Sequence, residues 1–480
     1  MSDARRAQAA YWAVCFVFLL AVRLCHVEVL WVDEAYGMAA ARRILEGARL
    51  YNGVWFDKPP LYAWIYLLWG AETGWPLRLG GALFALLCCW LAARTAEALF
   101  HRREGYAAGA LMAFFLAFDH PSSIVPLAPD LLLMPFTLAA VWSVQTERPA
   151  AAGVAAAAGL LANAKALLLL PLLVVWRPRR APRLLATYAC ASLAVWLAAG
   201  GWIEPVWQWG LIYARQSLFT DAAGEGMLRT LNWAGFHAAL VAGTVSYLLQ
   251  REPGRWRMLL WIAVALAMVA AGMRFFHRYY FALLPPLAIS ASRGLNLPRR
   301  RWATALLAVA LAVPAVRFGA RHIGTLRGEP AAMRDLALWA DARDAAAGIR
   351  KLAQPGDTLL VWGYRPELNV LAGLPGATRF LDSQPLTGII ADRHLTVSTP
   401  AAPELAMRHR RELAATRPTF VADGLGPLNP DLAIGRFEDL KAWLAHYDVA
   451  FETRAVRVYR LRRTTHPYSN GADRTAAPPL

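Results

Sequence analysis

The chain has 480 residues, 58% of them hydrophobic and only 17% charged, with a mean hydropathy of +0.34. These figures exclude an ordinary soluble globular protein and require a multi-span membrane protein. The formal net charge of +17 does not argue for nucleic acid, because most of the arginine excess lies in short loops between apolar runs, where it sets topology.

Apolar runs long enough to cross a bilayer recur from about residue 11 to about residue 318. The first has no small-residue cleavage site behind it and leads straight into Asp33-Glu34, so it reads as a retained first helix. Cys15, Cys25, Cys88, Cys89 and Cys190 all fall in apolar segments, which gives neither a disulfide framework nor a thiolate metal site. Arg5 and Arg6, Arg102 and Arg103, Arg148, Arg177-Pro178-Arg179-Arg180, Arg251 to Arg257 and Arg299-Arg300-Arg301 are the loop clusters expected on the cytoplasmic side. The stretch Ala150 to Trp176 joins two of them and must cross an even number of times, as two short helices meeting near Asn163-Ala164-Lys165. About eleven crossings follow, with the N-terminus inside and everything after about Phe318 outside.

That orientation collects the unusual polar residues on the outer side: Asp33, Glu34, Asp57 and Lys58 in the first outer loop, Asp119, His120 and Asp130 in the second, and Lys165 in the third, with Arg274, His277 and Arg278 later. A charge near bilayer depth costs about 3 kcal/mol even on insertion scales. Such a collection therefore implies one water-filled or ligand-filled cavity assembled from several loops.

Taken in order, Asp33-Glu34 after the first span, Lys58-Pro59-Pro60-Leu61 in the same loop, Asp130, Lys165 in a short hairpin, and His277-Arg278-Tyr279-Tyr280 ahead of Leu284-Pro285-Pro286 resemble the GT-C membrane glycosyltransferases, in the branch of protein O-mannosyltransferases and aminoarabinose transferases. The resemblance covers roughly residues 10 to 320. It implies a polytopic α-helical GT-C fold and transfer of one sugar from a polyprenyl-phosphate donor to a lipid, glycan or protein acceptor at the outer face of the membrane, with inversion at the anomeric carbon. It leaves the sugar and the acceptor open.

An inverting displacement needs a carboxylate to take the acceptor's hydroxyl proton and cations to stabilise the departing phosphate. Asp33 is the candidate base, with Glu34 orienting it or the acceptor. Lys58 and Arg278 are the first candidates for the donor phosphate, followed by Lys165, Arg274 and His277. Asp57, Asp130, Tyr36 and Tyr279 are expected to line the same cavity, and Tyr36, Trp55 and Tyr62 suit a sugar-stacking wall. Structural roles stand beside these. Asp33-Glu34 suit the N-terminus of a helix from about Ala35 to Glu46, and Asp130 suits a cap before Leu131. Lys58 suits a snorkelling cation, Arg274 and Arg278 interfacial anchors, and Lys165 a helix-terminus charge. His120 and His277 lack the spacing of metal ligands. Some relatives in the wider superfamily use a divalent ion, and Asp33, Asp57 and Asp130 would offer it oxygen ligands if they converge, so no metal is assigned. Most tryptophans, among them Trp31, Trp55, Trp64, Trp69, Trp75, Trp202, Trp207 and Trp209, read as an aromatic belt.

Beyond the last span the sequence turns polar and mixed. Helices are expected at Asp335 to Lys351, Leu405 to Ala415 and Phe437 to Tyr447, a turn or short helix at Pro366 to Ala372, and strands at Thr358 to Trp362, Thr419 to Ala422 and Ala455 to Leu461. This alternation predicts a small extracytoplasmic α/β domain with a mainly parallel sheet. The division is then a transmembrane domain over 1–320, the outer domain over 321–463, and a disordered tail over 464–480. The outer domain is expected either to cover the cavity and help hold the acceptor or only to stabilise the fold. A polyprenyl-linked sugar flippase or transporter would place the same charges along a permeation path, and a silent relative would bind lipid-linked sugar without transferring it. The lysine-proline turn, the acidic pair and the outer domain fit transfer better. Short loops and an Ala/Arg-rich composition suggest a bacterial inner membrane.

Overall fold

The computed structural model describes residues 3–200, 205–206, 222–271, 273–295, 301–329, 333–389, 400 and 402–462. Trp202, Trp207, Trp209, Arg299, Arg300 and the tail 464–480 lie outside the described residues. The membrane part is a bundle of helices: α1 (Asp3–Leu24), α2 (Val32–Leu45), α3 (Leu61–Leu67), α4 (Trp75–Leu99), α5 (Arg102–Phe115), α6 (Pro121–Ile124), α7 (Pro129–Gln145), α8 (Pro149–Ala162), α9 (Leu169–Trp176), α10 (Ala181–Ala198), α11 (Ala222–Phe236), α12 (Ala238–Leu249), α13 (Arg255–Ala270), α14 (Leu284–Gly294) and α15 (Arg301–Leu326). By length and composition, α1, α4, Pro178–Ala198 and Ala303–Leu326 can each cross a membrane, and three shorter apolar helices, Pro149–Ala162, Ala164–Trp176 and Ala238–Leu249, accompany them. Val14 and Val17 on α1, Leu193 and Leu197 on α10, and Val309, Val313 and Val316 on α15 are exposed, as expected of surfaces turned to lipid. The protein is a multi-pass membrane protein.

Small residues let these helices approach closely, since helices in lipid associate through packing rather than through water exclusion. A Cβ at Gly153 of α8 would collide with Thr187 of α10, and one at Gly294 of α14 with the backbone of Gly243 on α12. The hairpin expected around Lys165 is present: α8 ends at Ala162, a 3-10 turn covers Ala164–Leu168, and α9 follows. Asn163 makes the corner, its side chain accepting from the Lys165 N–H at 3.1 Å.

The C-terminal domain, the outer domain of the sequence reading, holds α16 (Arg334–Leu352), β1 (Leu359–Trp362), α17 (Glu367–Ala372), α18 (Gln384–Thr387), α19 (Pro403–Ala414), β2 (Phe420–Asp423), α20 (Glu438–Leu444), β3 (Tyr447–Glu452) and β4 (Arg457–Leu461). Its sheet runs β1-β2-β4-β3. The pair β1–β2 is parallel, with Leu360 opposite Val421, while β2–β4 and β3–β4 are antiparallel. The expectation of a mainly parallel sheet is therefore corrected. Tyr447 starts a strand instead of ending a helix, and the turn to β4, closed by Thr453 N–H donating to the Val456 carbonyl at 2.8 Å, is too short for a parallel crossover. The central strands are buried on both faces. Leu359, Val361, Phe420 and Ala422 pack with Ala342, Ala345 and Ile349 of α16, and Leu360, Trp362 and Val421 pack on the other side with Leu413, Leu440 and Trp443.

Asp423 ends β2 and is buried; its carboxylate accepts from the N–H groups of Leu425 at 3.0 Å, Gly426 at 2.7 Å and Ile434 at 3.1 Å. Replacing it with Ala orphans three amides, each worth about 1–3 kcal/mol when buried. Asp423→Ala is expected to make the outer domain of the full chain far more susceptible to limited proteolysis, with cleavage unchanged from wild type as the contrary result.

This C-terminal domain is anchored on α2 and on the loop between α2 and α3. Trp55 N–H donates to the Arg379 carbonyl at 2.8 Å, and its ring packs with Leu360, Trp362 and Phe380 in the domain core. Arg42 of α2 donates to the Val370 carbonyl at 2.6 Å. Trp55, expected among boundary and sugar-wall aromatics, is thus a buried anchor between domains.

Candidate active site

The site begins at the N-terminus of α2. Trp31 is the N-cap, so Asp33 and Glu34 fall in the first turn, where the helix dipole favours carboxylates. Neighbouring positions on a helix of 3.6 residues per turn point about 100° apart, and the two carboxylates part company accordingly. Asp33 turns toward a 3-10 turn over His277–Ala282, where it pairs with the Arg278 guanidinium. Glu34 turns into the bundle. It is fully buried, pairs with Arg78 of α4 (Arg78 Nη1 to Glu34 Oε2, 3.1 Å), and accepts the Trp31 N–H at 3.1 Å. Both Glu34 oxygens are thus engaged inside the protein, by Arg78 and the Trp31 N–H.

Arg278 stands between two acids. Besides Asp33, its Nε lies 3.7 Å from Asp130 Oδ2. Asp130 lies in the first turn of α7 and is itself buried; Asn163 Nδ2 reaches its Oδ1 at 3.1 Å and Lys165 Nζ the same oxygen at 3.0 Å. The Lys165 ammonium also sits 3.1 Å from the centroid of the Tyr279 ring, a cation–π contact. Segments separated by up to 245 residues, α2, α7, the α8–α9 corner and the His277 turn, thus converge on two carboxylates and two cations.

The first loop adds a second half. Lys58 pairs with the adjacent, buried Asp57, whose Oδ1 accepts from Tyr36 Oη at 2.9 Å. Tyr51 Oη holds the Lys58 carbonyl at 2.9 Å, which fixes the loop. The Tyr36 ring stacks on Phe56, centroids 5.0 Å apart, and Tyr62 donates its hydroxyl to the Asp33 carbonyl. A continuous run of contacts therefore leads from Lys58 through Asp57, Tyr36 and Tyr62 to Asp33 and Arg278.

Two further expected phosphate ligands, Arg274 and His277, come just before Arg278 in the chain. His277 precedes Arg278 but faces His120, ring centroids 5.5 Å apart. Arg274 offers its carbonyl to Arg229 at 2.8 Å. Among the described residues no three His, Cys, Asp or Glu side chains stand together as a metal site. Asp33 and Asp130 are matched to Arg278 and Lys165, and Asp57 to Lys58.

Sequence reasoning missed Arg78 and Asn163, whose roles depend on distant partners, and Tyr364. Tyr364 follows β1, and its ring lies 5.7 Å from that of Tyr36. It brings the C-terminal domain against Tyr36, whose ring lies 6.5 Å from that of Tyr62, the donor to the Asp33 carbonyl. The signal available was a tyrosine between Gly363 and Arg365 at a strand's C-terminal end, where α/β sheets place ligand sites. A separate cleft of about 260 Å³ at the C-terminal half of α2, lined by Arg42, Arg43, Asn369 and Thr378 among others, does not include Asp33 or Arg278.

Residues 57–209 match the family model described as dolichyl-phosphate-mannose-protein mannosyltransferase. No curated protein matches the chain significantly in sequence. In structure the chain is similar to ArnT from Cupriavidus metallidurans bound to undecaprenyl phosphate, at 16% identity and a TM-score of 0.60, with 95% of this chain and 98% of that one covered. It is also similar to the archaeal oligosaccharyltransferase AglB from Archaeoglobus fulgidus, in complex with an inhibitory peptide and a dolichol-phosphate, at 11% identity and a TM-score of 0.53, covering 97% and 75%. The chain shares the GT-C fold of these two structures.

Proposed function

We propose that the protein is an inverting glycosyltransferase that moves a monosaccharide from a polyprenyl-phosphate donor to a lipid, glycan or protein acceptor at the outer face of a bacterial inner membrane. The observation that carries this reading is the convergence of Arg278 and Lys165 on Asp33 and Asp130. The same chemistry is named in the relatives: the ArnT structure holds undecaprenyl phosphate and the AglB structure dolichol-phosphate. The arginine clusters support this reading with an N-terminus in the cytoplasm and an outer domain, residues 321–463, on the other side.

In this mechanism the donor phosphate docks on Arg278, with Lys165 and Lys58 as flanking cations. A phosphate competes with Asp33 for the guanidinium, so donor binding loosens the ion pair and leaves the Asp33 carboxylate a better base. Asp33 then takes the proton of the acceptor hydroxyl while that oxygen attacks the anomeric carbon from the face opposite the phosphate. The bond from the anomeric carbon to the phosphate oxygen breaks with its electron pair going to that oxygen, where Arg278 and the lysines stabilise the new charge. Asp130 holds Lys165 and the far side of Arg278, fixing both cations before the substrate arrives.

The test is transfer by purified protein in nanodiscs from a panel of radiolabelled polyprenyl-phosphate sugars to extracted membrane acceptors. Label on an acceptor supports the reading and names the donor. No transfer from any donor, with sugar-lipid movement across liposomes, would replace it with a flippase.

The outer domain takes part through Tyr364. Its ring packs on Tyr36, a contact of the kind worth about 0.5–1.5 kcal/mol. Tyr364→Ala is expected to lower kcat/KM by up to about tenfold, mainly through KM. Tyr364→Phe keeps the ring and should stay near wild type, so equal losses in both variants would reject a packing role.

A further inference from the structure

A second polar cluster lies where α15 packs against the start of α6, which in turn contacts the His277 turn: His322, next to Arg321, sits with its Nε2 2.8 Å from the Ala117 carbonyl, and His120 is the N-cap of α6. Arg317 and Arg321, one helical turn apart, sit near the outer end of α15, the last apolar helix. Arg317 is exposed, whereas Arg321 is half-buried with its guanidinium 5.5 Å from the Phe318 ring centroid. Arg321 Nη1 and His277 Nδ1 are both buried without a hydrogen-bond partner. Buried polar atoms left unpaired in this way are rare and call for a ligand or a strain. The His120 ring lies against that of His277, its Nδ1 engaged with Ser122 Oγ at 2.8 Å.

Three cations, Arg229, Arg317 and Arg321, bear on these groups. Burial, then Arg321, holds both imidazoles below the usual histidine range, His120 at about 4. The acids facing the cluster are Asp119 and Asp335. Asp119 is buried, one oxygen taken by the His120 N–H at 2.6 Å and the other 3.6 Å from His237 Nε2; burial pushes its pKa up to about 7, which weakens it as a counter-charge. Arg278, one residue from His277, is committed to Asp33 and Asp130 and belongs to the other site.

We propose that Arg321, Arg317, His277 and His120 form a second anion site, separate from the donor cleft, that takes the phosphate of an anionic membrane lipid. A phosphate oxygen satisfies the orphaned guanidinium N–H, the His277 tautomer protonated at Nδ1 donates to the same group, and the phosphate charge offsets the excess of cations. The lipid source follows from place, because Val313, Val316, Ile323 and Leu326 of the same helix are exposed around the two arginines and present a surface on which acyl chains lie. Basic residues at the membrane surface bind anionic headgroups in this way.

The test compares lipid retention by the full chain, reconstituted in phosphatidylcholine vesicles with and without phosphatidylglycerol, extracted in detergent and read by native mass spectrometry. Wild type is expected to keep phosphatidylglycerol over phosphatidylcholine about tenfold, and Arg321→Gln to lose that preference, the loss of one charge-assisted contact. Lys58→Gln, in the donor cleft, should keep it. If Arg321→Gln does not fold, the exposed Arg317→Gln carries the same comparison. Inorganic phosphate that raises the Tm of wild type but not of the arginine variant, without any lipid preference, would keep the anion site and assign it to soluble phosphate. Unchanged retention in the arginine variants, or an equal loss in Lys58→Gln, would overturn a separate site. Because the readout is binding, it stands whether or not transfer is observed.

Discussion

Asp33→Asn is expected to abolish measurable sugar transfer while leaving donor binding intact or tighter. Removing a general base costs typically 10²–10⁴-fold in rate, and the amide cannot take the proton of the acceptor hydroxyl. Donor binding should survive because Asp33 competes with the incoming phosphate for Arg278; its pairing with that guanidinium is an interaction the donor has to displace. Arg278→Gln is expected to behave the opposite way, losing donor affinity together with rate, because the phosphate contact is made in both the ground and the transition state. The check is a pair of measurements on each variant in nanodiscs: initial rates with a radiolabelled donor, and equilibrium retention of that donor. If Asp33→Asn transferred at the wild-type rate, Asp33 would be only a helix-terminus charge, which its position in the first turn of α2 also permits.

The parts of this site legible in the sequence were those whose presence is costly. Asp33, Asp130, Lys165 and Arg278 stood out because charges beside apolar spans are retained only for a reason, and the structure brings the four together. What stayed hidden was direction. Glu34 and Asp33 look alike as neighbours, and only the packing of α4 against the first loop shows that Arg78 claims one of them. His277 and Arg278 are likewise adjacent and face different clusters. Tyr364 lies over 300 residues along the chain from its partner Tyr36, and no local pattern predicts that meeting. In the outer domain, the strands β1 and β2 were readable as short apolar runs, whereas β3 was not. Its burial is confined largely to Tyr447, so it lacks the alternation that marks a half-buried strand. The missing hairpin is what made the sheet look parallel.

The neighbour of the candidate base makes the second large prediction, and its readout is stability rather than rate. Glu34 and Arg78 are both buried to within 1% and bonded to each other; Arg78 Nη2 also reaches the Val29 carbonyl at 2.8 Å, while Glu34 accepts the Trp31 N–H. Breaking a buried pair by removing one partner leaves an uncompensated charge and costs about 3–5 kcal/mol. Glu34→Ala and Arg78→Ala are each expected to lower the Tm of the detergent-purified protein steeply or to prevent its accumulation. The double replacement Glu34→Gln with Arg78→Met removes both charges and should recover much of the loss, since an apolar substitute for a buried pair is often nearly neutral. A direct catalytic role predicts a different pattern: Glu34→Ala would fold with an unchanged Tm and lose transfer, and the double variant would stay inactive. Recovery of both Tm and transfer in the double variant would separate the two carboxylates of the acidic pair, with Asp33 performing chemistry and Glu34 fixing the helix that presents it.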